Sequence, residues 1–204
     1  ICHAFTTLSS GGYSTKQASI GYWSSPFIHY TIIIGMIIAG INFSLIYFSF
    51  SQKSIKKFFK DEELRVYLIT IAIFACITGI GLCIFNNCDT LSAIENRFRS
   101  ALFHVVSIMT TTGFATEDYL QWPTVLWFLI VLLLCTGASA GSTSGGIKLI
   151  RLHIIGKNIL YEFKRIMHPK AIMPVRINRR IVNDNIVANI YAFISIYIII
   201  AIIS

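Results

Sequence analysis

A ten-residue polar stretch, Ser107-Ile108-Met109-Thr110-Thr111-Thr112-Gly113-Phe114-Ala115-Thr116, lies between apolar segments too long for a soluble core. At membrane depth, non-helical polar backbone is tolerated only where protein surrounds it or where it lines water. Threonines and a glycine in extended form present a ladder of carbonyl and hydroxyl oxygens, the ligands a dehydrating cation needs. One such stretch could be an ordinary turn, but this one occurs twice. Sliding the chain by 101 positions puts His3 on His104, Thr6 on Ser107, Gly12 on Gly113, Tyr13 on Phe114 and Thr15 on Thr116. The same shift puts Ser9-Ser10-Gly11 on Thr110-Thr111-Thr112. Trp23, Ser25 and Pro26 follow the first copy, and Gln121, Trp122 and Pro123 follow the second. Matched copies in an apolar chain point to a channel or transporter built from equivalent units.

With 55% hydrophobic and 13% charged side chains, the chain reads as an all-α polytopic membrane protein. The net charge of +8 is a topology signal and not a nucleic-acid footprint. Of 17 Lys and Arg, five lie in 51–65 and nine in 148–180. An even number of spans separates these basic segments, so both face the cytoplasm under the positive-inside rule. The five cysteines show no metal-ligand spacing, so no transition metal and no cofactor is expected. The chain opens at Ile1-Cys2-His3 inside what the repeat marks as a re-entrant helix and stops inside an apolar run. It therefore reads as a piece of a longer protein.

In order, residues 1–8 end a short helix, 9–13 form the first polar segment and 14–25 an outer loop. Pro26 sits in a first helical turn, where its missing N–H costs nothing. Residues 27–50 read as one span, with Gly35, Ala39 and Gly40 as a small-residue packing stripe. Asn42 suits either an interhelical hydrogen bond or a pore-facing role. Residues 52–65 are a charged inner loop with Phe58 and Phe59 at the lipid interface, 66–85 a span and 86–96 an outer loop. Residues 97–109 would make a helix of about 20 Å, too short to cross and so re-entrant, its carbonyl end favouring a cation. Asp89, Glu95, Glu117 and Asp118 fall in outer loops, where attracting cations is the most they could do.

The next apolar run, 122–135, is short of the roughly 20 residues a span needs. It leads into 136–146, eleven residues without a large side chain, so the helix breaks inside the membrane and the broken part lines the water path. The stretch Gly141-Ser142-Thr143-Ser144-Gly145-Gly146-Ile147-Lys148 looks superficially like a phosphate loop. Ile147 precedes Lys148, however, and Leu149 follows it where Ser or Thr is required. Residues 147–165 read as a basic helix broken by His168-Pro169 and Met173-Pro174, and Asn178-Arg179-Arg180 anchors the entry of a last span, 186–203.

The segments His3-Ala4-Phe5-Thr6-Thr7-Leu8-Ser9-Ser10-Gly11-Gly12-Tyr13-Ser14-Thr15 and Ala18-Ser19-Ile20-Gly21-Tyr22 carry a family resemblance, as do Met109–Phe114 and Gly141–Lys148. Together they resemble the Trk/Ktr/HKT potassium transporter superfamily, nearest its bacterial TrkH-type branch, over essentially the whole chain. The resemblance implies four span–pore helix–span repeats around one pore, a homodimer, and a cytosolic nucleotide-binding regulatory subunit. It assigns 1–50 to the second repeat, 51–65 to a cytoplasmic loop, 66–165 to the third repeat, 166–185 to a cytoplasmic linker and 186–204 to the start of the fourth. Ser9, Ser10, Gly11, Gly12, Thr110, Thr111, Thr112 and Gly113 would form the potassium filter. Gly137, Gly141, Ser142, Thr143, Ser144, Gly145, Gly146 and Lys148 would belong to an intramembrane gate loop, 137–146 and its flank. The expectation is potassium uptake across a bacterial inner membrane without any chemical step. The alternatives are a sodium-permeable member of the superfamily, or a membrane protein binding a nucleotide or anion at 141–148.

Overall fold

The computed structural model describes residues 1–52, 55–85, 90–168, 174–178 and 180–203. Cys88, Asp89, Pro169, Met173 and Arg179 lie outside the described residues. The described chain is helical apart from two pairs of two-residue strands. It opens with α1 (Cys2–Leu8), a 3₁₀ turn (Ser19–Tyr22) and α2 (Pro26–Ala39), which starts on its proline. The chain then turns by 89° into α3 (Phe43–Ser51), so the span expected over 27–50 is two helices. The cause lies at the break. Ile41 N–H bonds back to Ile38, and the Tyr67 hydroxyl takes the Ile37 carbonyl at 3.3 Å. Asn42 then caps α3, its side-chain oxygen accepting from Ser44 N–H at 2.9 Å.

After α4 (Ile55–Lys60) comes α5 (Glu62–Phe85), 24 residues and long enough to span at 1.5 Å per residue. Leu64, Tyr67, Ile71, Ala75, Thr78 and Leu82 line its buried face, while Ile69, Ile73, Ile77, Ile80 and Ile84 remain exposed. Both faces are apolar because one meets protein and the other suits lipid. α6 (Leu91–Met109) starts six residues earlier than the expected 97, its extra turns carrying Glu95 and Asn96. It packs against α5, α2 and α7. The main core, with Met36, Tyr67, Phe103, Val106, Met109 and Phe114, gathers around its inner end.

A second 3₁₀ turn (Tyr119–Gln121) precedes α7 (Thr124–Cys135), which opens after Pro123. Counted from Pro26 and Pro123, α2 and α7 give out at nearly the same depth, at Ala39 and Cys135. Beyond α7 the broken segment is ordered. β1 (Thr136–Gly137) pairs in parallel with β2 (Ile147–Lys148), Thr136 opposite Ile147 and Gly137 opposite Lys148. α8 (Leu149–Met167) follows directly. Within the expected linker, β3 (Arg176–Ile177) and β4 (Arg180–Ile181) form an antiparallel hairpin leading to α9 (Asp184–Ile203). α5 and α9 are each long and apolar enough to cross a membrane.

Candidate cation pathway

The two polar segments repeat in geometry as well as in sequence. Ser10 and Thr111 take left-handed φ of 54° and 55°, and Gly12 and Gly113 take 65° and 79°. Hydrogen bonds repeat at the same shift. Gly11 N–H donates to Thr6 O at 3.0 Å, and Thr112 N–H to Ser107 O at 2.9 Å. The Thr6 hydroxyl donates to Tyr13 O at 3.0 Å and the Ser107 hydroxyl to Phe114 O at 2.7 Å, each tying helix end to segment end. His3 and His104 each sit edge-on to a tryptophan, Trp23 and Trp122 respectively, at 5.1 and 5.0 Å.

The segments stand side by side. A Cβ added to Gly12 would lie 1.9 Å from Thr112 O, so only glycine admits this approach. The 3₁₀ turn after the first segment reaches across to the second. Ile20 and Gly21 N–H both donate to Ala115 O at 3.1 Å, and Ala115 N–H donates to Ser19 Oγ at 3.3 Å. These contacts consume the oxygens at the outer end. Among the described residues, no donor reaches the carbonyl oxygens of 9–12 or of 110–113. The hydroxyls behave differently. Thr110 donates to Val106 O at 2.7 Å and pairs with Thr112 at 2.9 Å, so both are turned into the protein. The backbone carbonyls of both segments, with the Ser9 hydroxyl, are therefore the oxygens left unpaired among the described residues.

The glycine-rich loop lies directly against the two positive-φ residues. Thr143 shares a 2.8 Å hydrogen bond with Ser10, and Gly145 N–H donates to Thr111 Oγ1 at 2.7 Å. Although it carries no large side chain, it is pinned from several sides. Ser139 N–H donates to Gly40 O and Phe43 N–H to Gly141 O, both at 3.1 Å, so the loop fits the α2–α3 break. Ala140 N–H donates to Glu63 Oε1 at 2.5 Å, and Asn42 also hydrogen-bonds Glu63. Ser144 Oγ accepts from Ala138 N–H at 3.0 Å and pairs with Ser142 at 2.9 Å. Lys148 Nζ donates to the Ser144 carbonyl and, at 3.2 Å, to its hydroxyl. The structure thus brings all the expected site residues into one neighbourhood, with Gly137 and Gly146 at its paired strands.

Sequence reasoning missed three contributors. Glu63 was grouped with a charged inner loop, and the α2–α3 break was hidden in an apolar run. Glu117 was grouped with solvated acids, but its carboxylate accepts from Ser100 at 2.5 Å, Trp122 Nε1 at 3.2 Å and Arg97 at 3.4 Å. The signals present were Asn42 inside a span and an acid, Glu117, directly after the second polar segment.

The comparisons with known proteins follow the same lines. The family TrkH, described as a cation transport protein, matches residues 1–204. The chain belongs to the TrkH family. It is a multi-pass membrane protein of a family of transporters, not enzymes. The Trk system potassium uptake protein TrkH of Salmonella typhimurium is 36% identical over 207 residues, covering 100% of this chain and 42% of the relative. That of Halomonas elongata is 35% identical over 196 residues, covering 96% and 40%. The crystal structure of the potassium transporter TrkH from Vibrio parahaemolyticus matches with a TM-score of 0.90 at 29% identity, over 98% of this chain and 42% of that one. The chain thus spans about two fifths of the length of these TrkH relatives.

Proposed function

We propose that the chain supplies two adjacent quarters of a potassium-uptake pathway in a bacterial inner membrane. One observation carries this reading: two repeat-related segments stand side by side with the carbonyl oxygens of 9–12 and 110–113 unclaimed by any described donor. Unpaired carbonyls inside a membrane protein cost several kcal/mol each unless water or an ion meets them. A dehydrated monovalent cation is the partner that suits uncharged oxygens, and the potassium uptake proteins this chain resembles support potassium as that cation. The loop 137–146 bonds to Ser10 and Thr111 at the pathway's inner side and is the gate. The assembled protein is a homodimer, with a cytosolic nucleotide-binding subunit acting on the basic side of α8. Binding of a nucleotide or anion at 141–148 is disfavoured: Glu63 already takes the Ala140 amide, Thr111 takes that of Gly145, and Lys148 is bound within the loop.

The test is rubidium uptake into potassium-starved cells lacking their own uptake systems and expressing the full-length protein. Uptake that potassium competes with, and sodium does not, is expected, and Gly113→Ser should reduce that preference. Equal competition by sodium would favour the sodium-permeable reading, and no uptake at all would refute transport.

A further inference from the structure

The inner end of α5 begins with two carboxylates that do different work. Successive residues on a helix diverge by about 100°, so Glu62 and Glu63 face different neighbours. Glu63 turns toward the glycine-rich loop and holds the Ala140 amide. Glu62 turns toward α8 and the hairpin. Its carboxylate contacts Lys157 Nζ, lies 3.0 Å from His153 Nε2, and accepts from Asn178 N–H at 3.1 Å. Asn178 returns the bond, its side-chain oxygen accepting from Glu62 N–H at 2.9 Å and its amide donating to Asp61 at 2.7 Å. Lys157 also donates to Arg176 O in β3 at 3.0 Å. Asn178, at the hairpin tip, is held at a positive φ of 47°. The Glu62, Lys157 and His153 side chains are each only about a quarter exposed, at 23–24%.

We propose that Glu62 and Glu63 form a two-sided clasp that keeps the loop closed and transmits movement of the paired strands β3 and β4 to it. Two mechanical routes run from the hairpin to the loop. One passes through Glu62 and α5 to Glu63 and Ala140. The other passes through Lys157 and α8 to Lys148, which grips Ser144 one residue before that helix starts. Both carboxylates sit in the first turn of α5, where the helix dipole favours negative charge whichever partner is bound. The clasp can therefore open without expelling its acids from a favourable site. Glu62 and Glu63 are positioning residues, since neither touches the oxygens at 9–12 or 110–113. The proposal rests on reading 137–146 as a gate.

The experiment measures basal rubidium flux through the full-length protein in phosphatidylethanolamine–phosphatidylglycerol vesicles. Glu62→Gln, Lys157→Met and Glu63→Gln are each made with the loop intact and again with residues 141–145 removed. With the loop intact each should raise flux by about tenfold, equivalent to a shift of about 1.4 kcal/mol in the closed-to-open balance. Glu62→Gln and Lys157→Met together should raise flux by less than the product of their separate effects, because both break the Glu62–Lys157 contact. In the shortened-loop background none should have an effect. Unchanged flux in the intact background overturns the clasp, as does a rise that persists equally after shortening. A shortened loop that itself leaves flux unchanged overturns the gate reading and the clasp with it. Should Glu62→Gln fail to fold, Lys157→Met tests the same contact from the other side.

Discussion

Gly11 and Gly12 are neighbours, yet alanine should be tolerated at one and not at the other. At Gly12 the backbone has φ of 65°, which costs a non-glycine residue roughly 1–2 kcal/mol. The added Cβ would also stand 1.9 Å from Thr112 O, where about 3.0 Å is the closest that real Cβ atoms approach. The two segments must then separate by about 1.1 Å, the difference between those figures. The atom displaced is a backbone carbonyl oxygen that cannot rotate aside on its own. It belongs to the set of oxygens proposed to replace the ion's water, so the cost falls on coordination as well as on folding. At Gly11 the nearest atoms to an added Cβ are Tyr13 Cδ2 at 3.3 Å and Ser9 Oγ at 3.4 Å, both on side chains, and φ lies outside the left-handed region. We expect Gly12→Ala to reduce the potassium-to-sodium permeability ratio about tenfold or more, the factor given by 1.4 kcal/mol. Gly11→Ala should leave it within about twofold, because the slightly tight contact falls on the Tyr13 side chain, which can give by a few tenths of an ångström. The assay is the bi-ionic reversal potential of the full-length protein in vesicles. An unchanged ratio in Gly12→Ala, or equal damage from the two substitutions, would refute the reasoning.

Three further outcomes follow from single contacts. Thr111→Val removes the acceptor of the exposed Gly145 N–H (2.7 Å), a net loss of about 0.5–1.5 kcal/mol, so rubidium flux should rise several-fold. Glu117→Gln weakens the bonds from Ser100 and Trp122 at the cost of about 1–2 kcal/mol of stability, with little from Arg97, which is over a third exposed and screened. That loss should appear as a lower melting temperature in detergent with selectivity retained. Tyr67→Phe strips the partner from the Ile37 carbonyl at the α2–α3 break, and about 1 kcal/mol or more should be lost in the same assay.

What could be read from the sequence, and what could not, divides by the distance to the partner that decides each conformation. The two polar segments were legible because their requirement is local. A left-handed φ at Gly12 and Gly113 favours glycine locally, so the repeat survives as a repeat of residue types even though Ser10 and Thr111 also adopt such a φ. The early start of α6 was obscured because its first turns are polar, although the Glu95–Arg99 pair at i,i+4 supports them as helix. The α2–α3 break was less accessible. Gly40 and Asn42 fit a packed small-residue helix as well as a break, and Tyr67, far along the chain, takes the carbonyl that the break exposes. The loop shows the same division most clearly. Four glycines and two alanines in 137–146 say only that the backbone is unconstrained by its own side chains. Its order comes from Thr111, Gly40, Glu63 and Lys148, all but the last on other elements. Glu117 was misjudged for the same reason, since its partners Arg97 and Ser100 lie on α6, a separate element. In a chain with so few charged residues, an acid beside an intramembrane segment is expensive to leave unpaired. Glu63 and Glu117 are therefore better read from the outset as halves of pairs whose other halves must be sought in distant parts of the sequence.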